Sequence, residues 1–460
     1  MDIAEDMISD FEEDIFEESE HEEKFEPPLT RIKWDRAMDQ EHAGEDMDQD
    51  IDDIFMFSNF PKHKSDNTLE DLVKEKVLRH LPAKTICRFR SVCKEWNHWL
   101  TSPFLAHLQS YSFREISGLF FQIPYVIPGF ISLNHSSYGV PRPTLGFLPE
   151  EVTLSATCNG LLCCKSRFAY DSKYYICNPA NKEWIMLPKP TLYHGPNSAV
   201  ALSFEPSVFN FSAHFDLVCA VPFSDTPVIY FEIYSSRSNS WRVSQTECWD
   251  PDALVLNGDG FFLNGVAFWE TSRCSVLAFH LKDEQYGTLP LPERHESEGA
   301  LALDVQDEQN ETLPLPQRNR LKGALTSMHG ELCYIRPRKE EDKLTMEIYG
   351  DLKMKLKSKI PLSPEACFEV DGELRVLACV NDELLMLLAG QNVFAYHLKE
   401  GKLEIIGNFF TNAPLDVTFL ALCEQPCTCY RTVEGSDEDI AVNSLTKGTD
   451  MPLICDVSCM

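Results

Sequence analysis

Cys423, Cys427 and Cys429 form a C-x3-C-x-C cluster, with Cys455 and Cys459 further along the chain. Thiolates so close together are what a zinc ion takes, but structural zinc sites pair short cysteine knuckles with a second pair, or with histidines, at a set distance. That second half is missing, so the cluster reads as ordinary cysteines in a polar stretch. Asp250, Asp252 and Asp259 surround WDPDALVLNGDG, where a glycosidase would place a carboxylate pair; acidic residues are also ordinary turn formers. None of the 13 histidines lies in H-E-x-x-H, no serine sits in G-x-S-x-G, and no Gly-rich phosphate loop joins a strand to a helix. The residues give no positive sign of catalysis, of a cofactor or of a metal.

The charge points to other work. Of the net −31, residues 1–60 contribute −18, residues 61–110 are +4, and the remainder supplies −17. Such a surface repels nucleic-acid backbone. No apolar run approaches the ~20 residues of a membrane span, and MDIAEDMISD lacks the basic and apolar parts of a signal peptide. The 17 cysteines are an odd number, scattered through apolar strand-like text, as reduced buried thiols are. The expected compartment is cytoplasm or nucleus. Residues 1–66 read as a disordered acidic arm and linker, although Phe11, Ile15 and Phe16 among the carboxylates would also suit an acidic docking segment.

Leu69 to Leu100 is the one long segment whose apolar residues repeat with a helical period. Val73, Val77 and Leu81 are four apart, Leu72 and Leu78 widen that face, and Phe89, Val92, Cys93, Trp96, Trp99 and Leu100 resume it beyond Pro82. Proline cannot continue a helix interior, so the chain reads helix, turn, helix. Neither short helix can bury its stripe alone. The pair must fold onto the rest of the chain or onto a partner.

From about residue 117 the period becomes two, with Asn-Gly and Asp-Gly turns between the runs. Five stretches repeat one plan, at 158–188, 199–243, 257–292, 328–362 and 373–407. Units of this size, each a small antiparallel sheet, build a β-propeller, because one blade cannot bury both faces while a closed ring can. Six blades are favoured, with SGLFFQI at 117–123 and PLDVTFLA at 414–421 closing the ring.

These residues carry a likeness. Leu69, Leu78, Leu81-Pro82, Lys84, Arg88, Arg90 and Val92-Cys93-Lys94-Glu95-Trp96, with Ser102-Pro103-Phe104 after them, closely resemble a plant F-box. One departure is that the family's opening Leu-Pro is Leu69-Glu70 here. The resemblance implies a small three-helix module that docks a Skp-type adaptor and, through it, a cullin-based ubiquitin ligase. It implies an adaptor surface drawn from Leu69, Leu72, Val73, Val77, Leu78, Leu81, Pro82, Ile86, Val92, Cys93 and Trp96. CNGLLC at Cys158, NPANKEW at Asn178 and EIYSSRSNSWR at Glu232 resemble the kelch-like F-box-associated region that follows such modules.

The expected organisation is therefore mainly β. An F-box occupies 67–112, a propeller 113–425 and a flexible tail 426–460. The chain would be a non-catalytic adaptor whose propeller captures a substrate protein, with neither nucleic acid nor membrane as partner. The competing classes are a non-degradative co-regulator acting through the acidic arm and a propeller enzyme or glycan binder. One feature breaks the repeat: 276–301 recurs at 300–325 in a constant register of 24 residues. This predicts blade strand and its following connection at 277–292, and a rim loop at roughly 293–322.

Overall fold

A computed structural model describes residues 72–113, 115–168, 173–195, 198–206, 213–223, 226–249, 256–272, 274–292, 321–340, 343–362, 374–408 and 417–423. The acidic arm, Leu69, Cys427, Cys429 and the expected tail lie outside these residues.

The described chain opens with a π-helical turn, Val73–Val77, that tightens into a 3₁₀ turn, Leu78–His80. Pro82 stops it and starts the next element, its carbonyl accepting from the Thr85 and Ile86 amides. Helices α1 (Ala83–Phe89), α2 (Lys94–Leu100) and α3 (Pro103–Ser112) follow. Cys93 caps α2 through its sulfur, and Ser102 caps α3 ahead of a proline in the first turn.

Strands β1 (Gly118–Gln122) and β2 (Gly129–Ser132) come next. Blade one is β3 (Val152–Cys158), β4 (Leu161–Ser166), β5 (Tyr174–Asn178) and β6 (Glu183–Met186). Blade two is β7 (Ala199–Pro206), β8 (Ala213–Pro222), β9 (Ile229–Ser235) and β10 (Ser240–Cys248). Blade three is β11 (Leu256–Leu263), β12 (Val266–Thr271), β13 (Ser275–His280) and β14 (Gln285–Pro290). After the short β15 (Leu321–Lys322), blade four is β16 (Ala324–Met328), β17 (Glu331–Glu340), β18 (Lys343–Gly350) and β19 (Lys355–Pro361). Blade five is β20 (Leu374–Val380), β21 (Leu384–Ala389), β22 (Asn392–His397) and β23 (Lys402–Asn408). The last strand, β24 (Thr418–Leu422), pairs antiparallel with β1, so the sixth sheet runs β2-β1-β24 and unites the two ends of the repeat region.

The ring has six blades, as the strand text at its two ends implied. First strands line the centre, and apolar clusters fill the seams, as where Phe231 of β9 stacks on Phe279 of β13 at 4.2 Å. Turns between first and second strands use paired left-handed residues, Asn159-Gly160, Asn264-Gly265, His329-Gly330 and Asn381-Asp382. Left-handed turns of this kind match the right-handed twist of the strands they join. They also hold neighbouring blades together: Asn264 Nδ2 donates to the Gly330 carbonyl at 3.1 Å, and the His329 amide to Asp382 Oδ1 at 2.7 Å.

Because strands alternate in direction, turns joining first to second and third to fourth strands gather at one end of the ring. Loops joining second to third strands, and connectors between blades, gather at the other.

The tandem copies differ from the loop expectation in two places. Gln285–Pro290 is the fourth strand of blade three, pairing with β13 from His280↔Gln285 to Ser275↔Pro290, and not a connection. Residues 293–320 lie outside the described chain, but Leu321 and Lys322 are strand, paired in parallel with Leu374 and Arg375. The repeat also supplies its own repair. A Cβ at Gly323 would lie 2.6 Å from the Ile335 carbonyl, and the register of 24 brings Gly299 to that position if Leu301–Ala324 is excised. Ala300 then replaces Ala324, while Leu321 gives way to Ser297. The excised chain is expected to keep a single thermal transition, with a midpoint lowered by only a few degrees for the lost leucine packing, measured by circular dichroism. A collapse of that transition would mean residues 293–320 are built into the ring.

Candidate functional site

The helical module has its own core. Leu78, Ile86, Leu100 and Leu105 are buried together, with Val73, Leu81, Phe89, Trp96 and Trp99 packed around them. Of the expected surface residues, Leu78 and Ile86, 1% and 0% exposed, lie inside this core, with Leu105 of α3 packed against them. Trp96 meets Phe89 edge to face at 5.8 Å and fixes α1 against α2. Pro82, half-buried like Leu81, is engaged in starting α1. Leu72, Val77 and Val92 remain outward at 43%, 47% and 63% exposure, and Cys93 is exposed beside its cap. Among the described residues of the expected surface, Leu72, Val77, Val92 and Cys93 are the exposed ones, with Val73, Leu81, Pro82 and Trp96 partly buried.

Two basic residues of the F-box-like run point elsewhere. Lys84 Nζ donates to the His135 carbonyl and, at 3.0 Å, to that of Tyr138, while Arg88 donates to the Ser136 carbonyl at 3.2 Å. These acceptors follow β2, at the ring end that carries the first-to-second-strand turns. At the same end Ala106 of α3 packs on the core between blades one and two, and Cys423 donates its thiol to the Phe113 carbonyl at 3.4 Å. The module is thus clamped to one end of the propeller. Sequence reasoning missed this use of Lys84 and Arg88, because backbone carbonyl acceptors leave no mark in the sequence.

Two carboxylates lie inside the ring at matching places, each opening a Glu-Ile-Tyr in a third strand. Glu232 of β9 is fully buried; it accepts from His194 Nε2 at 2.8 Å and from the amides of Thr191 (2.7 Å) and Leu192 (3.0 Å). The set is complete with His194 protonated on Nε2 and its Nδ1 accepting from the Tyr174 hydroxyl at 2.8 Å. Burial pushes the Glu232 carboxyl up, but the histidine and the two amides outweigh it and hold it below the usual range. Glu347 of β18, also fully buried, takes Arg336 (2.8 Å), Arg338 (3.1 Å), Lys359 (2.9 Å) and the Tyr349 hydroxyl (2.6 Å). Against the upward push of burial, these partners lower its pKa to about 2. Glu232 pins the connector from blade one, and Arg336 reaches the Pro292 carbonyl of the connector leaving blade three. Both carboxylates are buried and satisfied, as structural pins are. A glutamate inside an apolar strand, twice before Ile-Tyr, was the signal that could have found them.

Among the described residues no group of three His, Cys, Asp or Glu is placed to hold a metal ion, and no helix is long and apolar enough to cross a membrane. Asp250 and Asp252 lie outside the described residues, and of Asp259 only the backbone, in β11, is described.

The F-box domain family matches residues 65–107, and the F-box associated beta propeller domain family matches residues 141–322. The propeller match is thus to the F-box associated family rather than to a kelch repeat. Similar curated proteins include two F-box proteins of Arabidopsis thaliana, At5g07610 and At5g49610. The first is 28% identical over 251 residues, covering 50% of this chain and 58% of its own length. The second is 29% identical over 240 residues, covering 48% and 64%. The matches span roughly three fifths of those relatives. Among solved structures, the nidogen/laminin complex aligns at a TM-score of 0.36 with 10% identity, over 67% of this chain and 99% of that one. Residues 65–107 are thus similar to the F-box domain family and residues 141–322 to the F-box associated beta propeller domain family, and the chain's similar proteins include Arabidopsis F-box proteins.

Proposed function

We propose that the chain is the substrate-recognition subunit of a Skp–cullin–F-box type ubiquitin ligase. The observation that carries this reading is an F-box domain clamped to one end of a closed six-bladed ring, with the other end turned away from it. The F-box domain would dock a Skp-type adaptor, and through it a cullin, by the face around Leu72, Val77, Val92 and Cys93. The propeller would hold a substrate protein. Ubiquitin transfer belongs to other subunits, and this chain adds proximity, raising the effective concentration of substrate lysines near the charged enzyme. A fixed junction suits that task, since a slack one would dilute the gain. Cytoplasm or nucleus is the proposed compartment, supported by Cys163, Cys164, Cys177 and Cys219 packing as free thiols in blade cores.

Val77→Asp with Val92→Asp tests the adaptor half. Both positions are solvent-exposed, so the fold should tolerate the charges, whereas two unpaired carboxylates in a desolvated contact cost several kcal/mol. Capture of a Skp-type adaptor by the purified chain is expected to fall at least about a hundredfold, with the thermal midpoint unchanged. Adaptor binding that survives the double substitution would overturn the assignment of this face.

A further inference from the structure

Tyr125 occupies a position that its own fold does not reward. It is the third residue of a turn that starts at Ile123, closed by the Val126 amide on the Ile123 carbonyl at 3.0 Å, with Pro124 second. Such a turn wants a left-handed residue third, usually glycine or asparagine, and Tyr125 has φ +67°. A bulky residue held left-handed costs free energy, yet Tyr125 is 87% exposed and recovers little by burial. The loop is nevertheless tied down. Buried Gln122 donates to the Val126 carbonyl at 3.0 Å and the Val152 carbonyl at 2.9 Å, and accepts from the Leu154 amide at 2.7 Å. A strained, rigidly presented and exposed aromatic points to a contact outside the chain.

Its surroundings define the kind of contact. Phe168, 74% exposed, follows Arg167 in the β4–β5 loop, and the Arg167 guanidinium lies 5.7 Å from the Tyr125 ring centre and 5.2 Å from that of Phe168. Arg167 is 14% exposed and paired with Glu151 at 2.9 Å, whereas Glu151 is 56% exposed. The cation is therefore engaged by the rings and Glu151. Exposed around it are Tyr125, Phe168, the Glu151 carboxylate and the half-exposed Val126 and Ile127, with nearby Lys173 already on Glu150 at 3.3 Å. Aromatic faces with a carboxylate attract an alkylammonium or guanidinium, and aliphatic neighbours suit an aliphatic side chain beside it.

The patch lies at the ring end opposite the helices, because the β1–β2 and β4–β5 loops both join second to third strands. Exposed Tyr193, Phe223 and Trp249 share that end, in the connectors after β6 and β10 and in the β8–β9 loop.

We infer that this patch binds a segment of a partner protein in which a lysine or arginine is flanked by aliphatic residues. The rings of Tyr125 and Phe168 with Glu151 take the cation, and Val126 and Ile127 take the aliphatic neighbour. The inference rests on the reading of the propeller as the substrate-holding half and names its substrate class.

The test uses the full chain in complex with its adaptor, and short fluorescent peptides with a Leu-Lys-Leu-Arg centre, a Leu-Glu-Leu-Glu centre, or glycine and serine only. The basic peptide alone is expected to bind, more weakly as salt rises. Tyr125→Gly should weaken it at least about tenfold while keeping or raising the thermal midpoint, since glycine relieves the turn. Phe168→Ser should weaken it without altering adaptor capture. Equal binding by Tyr125→Gly, a preference for the acidic peptide, or no binding of the basic peptide by the intact complex would each overturn the inference. Adaptor capture is read in the same samples, so loss of the bridging role and loss of this patch register separately.

Discussion

Leu420→Asp with Leu422→Asp is expected to leave no folded propeller. The two leucines, 6% and 1% exposed, sit on β24 and pack with Phe120, Leu145, Leu148, Val152 and Leu154 in the seam between the closing sheet and blade one. Each substitution removes about 2 kcal/mol of burial and adds a carboxylate that must be desolvated or protonated, at several more. Together these match the whole stability of an ordinary domain, about 5–15 kcal/mol. The position makes the loss global. β24 is the innermost strand of its sheet and joins β1 across nearly the whole repeat region, from Gly118↔Leu422 to Gln122↔Thr418. Without it, blades one and five each face an open edge. The control is the same chemistry on an outermost strand, Ile405→Asp on β23, where the side chain is already 61% exposed. Thermal and urea denaturation should show no cooperative transition for the double variant and a near-native one for the control. A double variant that still melts cooperatively near the native midpoint would show that the ring does not depend on this closure.

That closure was legible in the sequence, and so were the blades, for one physical reason. Alternation with period two and Asn-Gly turns are local signals, and SGLFFQI and PLDVTFLA each look like strands before their partnership is known. What was not legible depended on direction. Leu78 and Ile86 fit an apolar stripe as well as Val77 and Val92 do, and only the position of α3 decides which of them turn inward. Gly287 and two prolines weaken the strand text of Gln285–Pro290, so it reads as a connection, although its register with β13 is continuous. Lys84 and Arg88 look like solvated charges until the segment after β2 brings carbonyls to them. Tyr125 was hidden in apolar text, since nothing in IPYVIPGF announces that its tyrosine is the left-handed residue.

Glu232→Ala is expected to destabilise the ring by about 3–5 kcal/mol, the range for removing one partner of a buried pair. Both Glu232 and His194 have fully buried side chains, so the alanine leaves His194 Nε2 and the amides of Thr191 and Leu192 without an acceptor in a space closed to water. The loss spreads because His194 also meets Tyr174 and Trp241, at 5.6 Å between ring centres in each case, and so couples blade one to blade two. Glu232→Gln keeps an oxygen acceptor and should cost clearly less. The exposed ion pair of Arg237 with Glu205, on the same blade, is the control; Glu205→Ala should move the urea midpoint little. Acid gives an independent check on the sign. A carboxyl whose folded pKa lies below its unfolded value stabilises the fold fully above the unfolded value, and that stability is lost as pH falls through the folded one. Glu232 is lowered, and Glu347 is lowered to about 2, so native stability should decline from roughly pH 4.5 toward pH 2. Glu347→Gln should flatten part of that decline, and Glu232→Gln another part. If Glu232→Ala instead matches Glu205→Ala in urea and the acid profile stays unchanged, the two carboxylates are not pins, and the blades are held by their apolar seams alone.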